Sequence, residues 1–215
     1  GLGATRRPLR LAPLGRFRDL TYLFLEGPVR DIEVLAELER LDDLTLRSIT
    51  LPDLSLLLPM RRLRSLDLKL GGTKDLRLLP RIGEIRYLEL WLIRGLTDLG
   101  PVGEMTGLRS LFLQALGRVE RLPDLSRCVE LRRIHLETMK GLRDLAPLAT
   151  APALRDLVLI DLRQLAVGDL EPLRAAPALR AVSLGLGSIR KNDAGQALLG
   201  LPRVSAPDDW RDPAP

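Results

Sequence analysis

Residues 108–130 read LRSLFLQALGRVERLPDLSRCVE, and the spacing of the apolar residues changes partway along this stretch. It opens with the alternation of a half-buried β-strand, at Leu108, Leu111 and Leu113. Beyond the strand, apolar residues recur at every third position, at Leu116, Val119, Leu122, Leu125 and Cys128. The stretch therefore predicts one strand and a tight return segment, a unit too small to bury its own apolar face.

The same unit recurs along the chain. The repeats that begin at Ile85 and Leu131 keep the register of the one at Leu108. Strand openings with this pattern follow one another at intervals of 21 to 25 residues. Their first residues are Leu20, Leu41, Leu63, Ile85, Leu108, Leu131, Leu154 and Leu179. Such periodicity indicates units that stack on one another and share a continuous core.

This pattern resembles the leucine-rich repeat family over roughly residues 9–206. The resemblance implies an α/β fold of the leucine-rich repeat solenoid type. A curved parallel β-sheet would line its concave face, and short helices or 3₁₀ turns its convex face. We expect residues 1–19 to form an N-terminal cap or partial repeat and residues 20–200 to form eight repeats. Residues 201–215 would form a terminal strand or cap and a disordered tail.

The return segments carry signals for short helices. Three of them contain the sequence Asp-Leu-x-Pro, at residues 98–101, 144–147 and 169–172. Asp can cap a helix N-terminus, and Pro is tolerated in the first turn. Position 9 of the repeat, where many family members place an Asn that bonds to the neighbouring turns, holds no Asn here. The turn backbones must therefore be satisfied by one another or by water.

The two ends are less regular than the middle. The N-terminal segment holds a truncated apolar pattern, Leu9, Leu11, Leu14 and Phe17. We expect these side chains to cover the open core of the first repeat. At the other end we expect a ninth strand and a lid over it, formed by Leu201, Val204, Ala206 and Trp210. The segment GLGSIRKND at 185–193 lacks a complete glycine fingerprint after a strand, so it is interpreted as a turn.

Composition limits the setting and the class of partner. The 33 basic and 28 acidic residues give a net charge of +5, a mild bias toward anionic partners. Basic and acidic residues alternate along the chain, so no nucleic acid partner is expected. Cys128, the only cysteine, excludes an intramolecular disulfide and favours a reducing, cytoplasmic compartment. The sequence shows no apolar run long enough to predict a membrane span.

The repeat type and the amino-acid composition indicate the kind of organism and protein from which the chain comes. The apolar position 9 and the 23-residue spacing resemble the repeats of nucleotide-binding immune receptors more than extracellular repeats. Abundant Arg, Ala, Gly and Pro with a single Asn are typical of a GC-rich bacterial genome. The chain begins GLGATRR without an initiator Met, so we interpret it as a piece of a longer bacterial protein.

The alternation along each strand distinguishes side chains that face the core from side chains that are exposed for binding. Positions 1, 4 and 6 of each repeat would face the core, so positions 3, 5 and 7 would project from the concave face. Five of the seven aromatic residues occupy these positions: Tyr22, Phe24, Tyr87, Trp91 and Phe112. Aromatic side chains exposed on a rigid sheet are typical of protein-binding hot spots. The alternative is that they pair across strands and fill a tight inner curve.

The predicted partner-binding surface lies in repeats three to six. It would be a protein-binding patch with an aromatic centre and a charged rim. Its residues are Tyr87, Glu89, Trp91, Arg109, Phe112, Gln114, Arg132, Arg133, His135 and Glu137.

Position 2 holds an arginine in six consecutive repeats. These residues are Arg64, Arg86, Arg109, Arg132, Arg155 and Arg180. Each could lie over its own apolar turn and pair with a nearby carboxylate. Alternatively, the row could bind an anion or an acidic protein partner.

The sequence favours a binding function over a catalytic one. His135, the only histidine, has Glu137 on the same strand face, but no Ser or Cys nucleophile belongs to a recognisable motif. One His with scattered carboxylates lacks the spacing of metal ligands. There is no GxxxxGKS/T motif, so we expect no cofactor and no metal.

The leading hypothesis is therefore a non-catalytic protein-binding domain, the sensor or recognition part of a larger intracellular bacterial protein. The alternative is a free-standing inhibitor or immunity-type protein that blocks an enzyme or toxin. An open reading frame that extends upstream of Gly1 would favour the first hypothesis, and a short one the second.

Overall fold

The computed structural model describes residues 7–205, and their architecture follows from the repeat. Ten strands form: β1 Leu9–Arg10, β2 Tyr22–Glu26, β3 Val29–Arg30, β4 Asp43–Arg47, β5 Ser65–Lys69, β6 Tyr87–Trp91, β7 Ser110–Gln114, β8 Arg133–Glu137, β9 Asp156–Ile160 and β10 Ala181–Leu184. Eight of them build one parallel sheet in the order β2-β4-β5-β6-β7-β8-β9-β10, while β1 pairs with β3 in a small second sheet. The predicted leucine-rich repeat solenoid is confirmed.

The return side is built from 3₁₀ helices. They span Ala12–Arg16, Ile32–Glu37, Ser55–Leu57, Leu79–Arg81, Gly100–Glu104, Ala146–Thr150 and Val167–Ala175. Ahead of two of them, the Asp98 and Asp144 carboxylates accept hydrogen bonds from the amides two residues on, at 2.7 and 2.8 Å. Asp169 instead lies inside its helix and accepts a bond from the Ala166 amide at 2.8 Å. The predicted convex 3₁₀ turns are thus present, and their Asp residues orient the chain at the start.

The core is one ribbon of stacked leucines. Parallel register places Leu66, Leu88, Leu111, Ile134 and Leu157 beside one another on consecutive strands. Each of these side chains is at most 2% exposed. Cys128 is also fully buried, and its thiol contacts the backbone of the preceding repeat. The register predicted from positions 1, 4 and 6 is correct.

Position 8 ends each strand with a left-handed residue. The φ angle is between 50° and 58° at the non-glycine residues of this column, namely Ser48, Leu70, Leu92, Ala115, Thr138 and Asp161. The amides of the first five bond to a carbonyl of the next repeat, for example Leu92 to Gln114 at 2.8 Å. Of the two predicted alternatives, bonding of the turn backbones to one another is thus the one seen at these positions. The Thr50 and Thr73 hydroxyls supplement these bonds by accepting from the Gly72 and Leu51 amides.

The C-terminal end differs from the prediction. The turn expected at residues 185–193 is wrong, because helix α1 spans Ile189–Leu199. The helix begins after Ser188, whose side chain accepts a hydrogen bond from the Lys191 amide, and ends at Gly200 in the left-handed conformation. Beyond it, the chain runs beside β10, where the Val182 amide bonds to the Pro202 carbonyl at 2.9 Å. Ala206 and Trp210, expected in a terminal strand and lid, lie outside the described residues.

The N-terminal segment covers the first repeat only in part. Leu11 is fully buried, and Leu9 and Leu14 pack partly buried against the core. Phe17 is 58% exposed, contrary to the covering role expected of it. Within residues 7–205, no helix is both long enough and apolar enough to cross a membrane.

Candidate functional site

The predicted binding residues lie together on the concave face but differ in accessibility. Seven of the ten are half-buried: Trp91, Arg109, Phe112, Gln114, Arg132, Arg133 and Glu137. The other three, Tyr87, Glu89 and His135, are at most 8% exposed. The burial has a geometric cause, since parallel strands about 4.8 Å apart on an inward curve bring neighbouring side chains into contact.

The aromatic prediction needs one correction. Tyr87 projects from the concave side of β6, outside the leucine core, yet only 4% of it is exposed. Its neighbours in register are Ser65 on β5 and Ser110 on β7, two small residues that leave room for the ring. The Tyr87 hydroxyl lies 3.1 Å from the Glu89 carboxylate. The burial of Tyr87 favours the alternative interpretation, filling of the inner curve.

Lys69 joins two buried carboxylates at the centre of the face. Its ammonium nitrogen lies 3.1 Å from Asp67 Oδ2 and 2.8 Å from Glu89 Oε2. Asp67 is fully buried and also accepts a hydrogen bond from the Thr45 hydroxyl at 3.0 Å. Charges buried in this way are stable only when paired and hydrogen-bonded. The network fixes the middle of the sheet, and sequence analysis had not assigned Lys69 or Asp67 to the site.

A second polar group lies on β7 and β8. The Phe112 and His135 rings pack with centroids 4.2 Å apart. Glu137 accepts a hydrogen bond from the Gln114 side-chain amide at 2.8 Å, and its other oxygen lies 3.3 Å from His135 Nε2. The His135 ring is therefore held between an aromatic face and a carboxylate.

Position 7 is the most accessible column of the face. It presents Glu26, Arg47, Lys69, Trp91, Gln114, Glu137 and Ile160 along successive strands. The Arg47 guanidinium lies 5.4 Å from the centroid of the Trp91 ring and 3.2 Å from a Glu26 oxygen. Ile160 is 40% exposed. Neither Arg47 nor Ile160 was in the predicted site, although both belong to the same projecting column.

Carboxylates pair with the arginines of the charged rim. Arg109 bonds to Glu130 at 2.8 Å, and Arg133 lies 3.3 Å from Asp156 on the next strand. Among residues 7–205, no three metal-ligating side chains are close enough to hold an ion. In repeats three to six, the face thus presents paired charges with the half-buried aromatic side chains of Trp91 and Phe112 between them.

His135 provides a pH-dependent prediction. Burial lowers the pKa of its imidazole below the ordinary value of 6.5, and the Glu137 carboxylate raises it only in part. The unfolded chain therefore binds the proton more readily than the folded chain, so the free energy of unfolding should fall as pH drops below about 6.5. Urea unfolding at a series of pH values checks this.

His135→Gln is the matched control, because it removes the titrating group and keeps a polar side chain. Its unfolding should lose this component of the pH dependence. Proton NMR of the single histidine reports the pKa directly. An imidazole that titrates above 6.5 in the folded protein would contradict the assignment.

Comparisons with known proteins bear on the fold alone. No family model matches the sequence, and no curated protein matches it significantly. An internalin from Listeria monocytogenes superposes with a TM-score of 0.46 at 20% identity, over 93% of this chain and 72% of that chain. Internalin C2 from the same species gives 0.47 at 18% identity, over 68% and 72%. A leucine-rich repeat protein from Leptospira interrogans gives 0.47 at 16% identity, over 84% and 53%.

Proposed function

We propose that this leucine-rich repeat protein is a non-catalytic recognition module that binds a protein partner on its concave sheet face. One observation carries the proposal. Trp91 and Phe112 are half-buried on neighbouring strands, while the polar side chains around them already bond to one another. Large aromatic anchors surrounded by satisfied polar groups are typical of protein-binding hot spots.

The internal pairing supports a rigid surface. Lys69 is held by two carboxylates, Glu137 by Gln114, and Arg133 by Asp156. Side chains fixed before association lose less conformational entropy when a partner arrives. Much of the face is therefore organised in advance for docking.

Burial divides the predicted patch into two roles. Trp91, Phe112, Gln114 and Glu137, together with the arginines of the rim, are accessible enough to touch a partner. The buried His135 supports Phe112 and Glu137 by direct contact, while the buried Tyr87 and Glu89 bond to each other. We add Arg47 and Ile160 to the contact set, because they share the accessible column with Trp91.

The wider role is a further part of the proposal. We assign the module to recognition within a larger intracellular bacterial protein. The single, buried cysteine and the arginine-rich, asparagine-poor composition support that setting.

The test removes the two aromatic anchors together. Trp91→Ala with Phe112→Ala should weaken partner binding by roughly 2 kcal/mol or more, because each truncation leaves an apolar pocket of the partner unfilled. Immobilised wild type and double variant are compared in capture from lysate of the source organism. The partner that the variant loses is then purified and titrated against both by calorimetry.

The control is Phe17→Ala with Val129→Ala. Both residues are 58% exposed and lie outside the concave columns, so this variant loses exposed apolar area elsewhere. It should retain the partner at wild-type affinity. Circular dichroism confirms that each variant is folded. Equal binding by the wild type and the Trp91, Phe112 variant would place the interface elsewhere on the solenoid.

A further inference from the structure

The six arginines at position 2 form a continuous, regularly spaced row. The Arg64 carbonyl accepts a hydrogen bond from the Arg86 amide at 2.8 Å, and the same bond links each arginine to the next as far as Arg180. The four further bonds are 2.8 to 2.9 Å long. The row is therefore fixed at strand spacing by the backbone, at the edge of the sheet where the strands begin. We call it the arginine row.

Internal pairing does not account for the arginine row. Arg109 bonds to Glu130. In contrast, Arg64, Arg86, Arg155 and Arg180 have no side-chain hydrogen bond or ion pair within residues 7–205. Arg64 and Arg180 are exposed, and the other members are half-buried. Of the two interpretations of this column, pairing with nearby carboxylates fails for these four.

The fold itself does not require arginine at this position. The first two repeats place Thr21 and Asp42 there. Their carbonyls accept the same hydrogen bonds, from the Asp42 and Arg64 amides, at 2.8 Å. Because like charges on neighbouring strands destabilise a sheet, six consecutive arginines carry a cost that Thr or Asp would avoid.

We infer that the arginine row binds an acidic, extended segment of a protein partner. Six positions about 4.8 Å apart span roughly 24 Å. An extended peptide advances about 3.3 Å per residue, so about eight residues cover that length. Arginine guanidinium groups bind carboxylates through paired hydrogen bonds. The row thus suits a peptide rich in Asp and Glu that runs across the strand ends.

Neighbouring carboxylates favour a peptide over a nucleic acid. Glu84, Glu104 and Glu130 line a cavity of about 320 Å³ together with Arg86, beside the arginine row. A phosphate backbone carries a negative charge on every unit and would be repelled there. A peptide can place a neutral or basic residue at that point. The inference rests on the proposed recognition of a protein, but it concerns a surface separate from the aromatic anchors.

The test uses fluorescence anisotropy at low ionic strength with a labelled peptide of six glutamates and two central serines, which give it a neutral stretch to place beside the carboxylates of the cavity. One variant combines Arg64→Gln, Arg86→Gln, Arg155→Gln and Arg180→Gln. The control combines Arg94→Gln, Arg118→Gln, Arg121→Gln and Arg143→Gln, which are exposed arginines outside the row. Both variants lower the net charge from +5 to +1, since each loses four positive charges. Circular dichroism verifies folding.

The row variant should bind the peptide at least roughly tenfold more weakly than wild type, and the control variant less than about threefold more weakly. A peptide of eight glutamines should not bind. Equal weakening in both variants would show that only net charge matters and would overturn the inference. Failure of the wild type to bind the peptide would overturn it as well.

An eight-nucleotide oligothymidylate is tested in the same way. If it binds more tightly than the peptide and its binding depends on the arginine row, the ligand is a nucleic acid and the inference is overturned. The Trp91, Phe112 variant should bind the peptide as wild type does. Its result with the whole partner therefore tests the proposed function separately.

Discussion

Leu111→Ala is expected to lower the free energy of unfolding by about 2 to 5 kcal/mol. Leu111 is 2% exposed and lies between Leu88 and Ile134 on the adjacent strands. Truncation removes buried apolar surface and leaves a cavity that the flanking strands cannot close, because their hydrogen bonds fix them in position. Urea unfolding monitored by circular dichroism measures the change.

The matched control is Leu92→Ala. Leu92 is 41% exposed at the end of the preceding strand, so the same truncation there should cost less than about 1 kcal/mol. A more severe substitution tests the register itself, because Leu111→Asp places a charge among leucines. A protein with Asp at that position and unchanged stability would show that the core column is wrongly assigned.

Gly71→Ala is expected to destabilise the protein by roughly 3 kcal/mol through overpacking. A Cβ atom at Gly71 would lie 2.2 Å from the Ile49 carbonyl oxygen. The obstacle is backbone of the neighbouring repeat, so no side chain can rotate away to relieve it. Two repeats would have to separate, and the hydrogen bond between the Arg94 amide and the Gly71 carbonyl would be strained.

Gly117→Ala provides the comparison, since nothing lies within 4 Å of the added Cβ and φ is not positive there. At such a position Ala restricts the unfolded chain and should leave stability unchanged or raise it by up to about 1 kcal/mol. Thermal unfolding of the two variants side by side separates the close approach from a general effect of replacing glycine. Equal melting temperatures would contradict the packing seen at Gly71.

The core could be predicted from the sequence because it depends on spacing alone. Leu108, Leu111 and Leu113 alternate as a strand must when one face is buried, and the following residues recur every third position. The next repeat restates the same pattern, so an error in one repeat is corrected by its neighbours. Register, strand order and the 3₁₀ returns all follow from that agreement.

The concave face could be predicted only in part. Alternation tells which face a side chain takes but not how strongly that face curves. Tyr87, Glu89 and His135 are on the expected side yet buried, because curvature brings neighbouring strands' side chains together. The pairing of Lys69 with Asp67 and Glu89 could not be predicted from the sequence, because each of these side chains could instead have pointed to solvent.

Helix α1 was missed for a different reason. Residues 185–193 lack a complete nucleotide-binding motif, and the glycines of this segment favour a turn. The signal for a helix was present, since Ser188 is a good N-cap and Gly200 a good helix end. The arginine row was visible in the sequence, but the absence of partners for four of its members depends on where the carboxylates lie in space.

The left-handed residues at position 8 make the solenoid less stable than the same fold could be. Six non-glycine residues there hold a backbone conformation that disfavours side chains by about 1 kcal/mol or more each. The side chains range from Ala to Leu and Asp, so the turn tolerates almost any residue and demands none. A designer who places glycine or asparagine there could strengthen the solenoid one repeat at a time, at the opposite end of each strand from the arginine row.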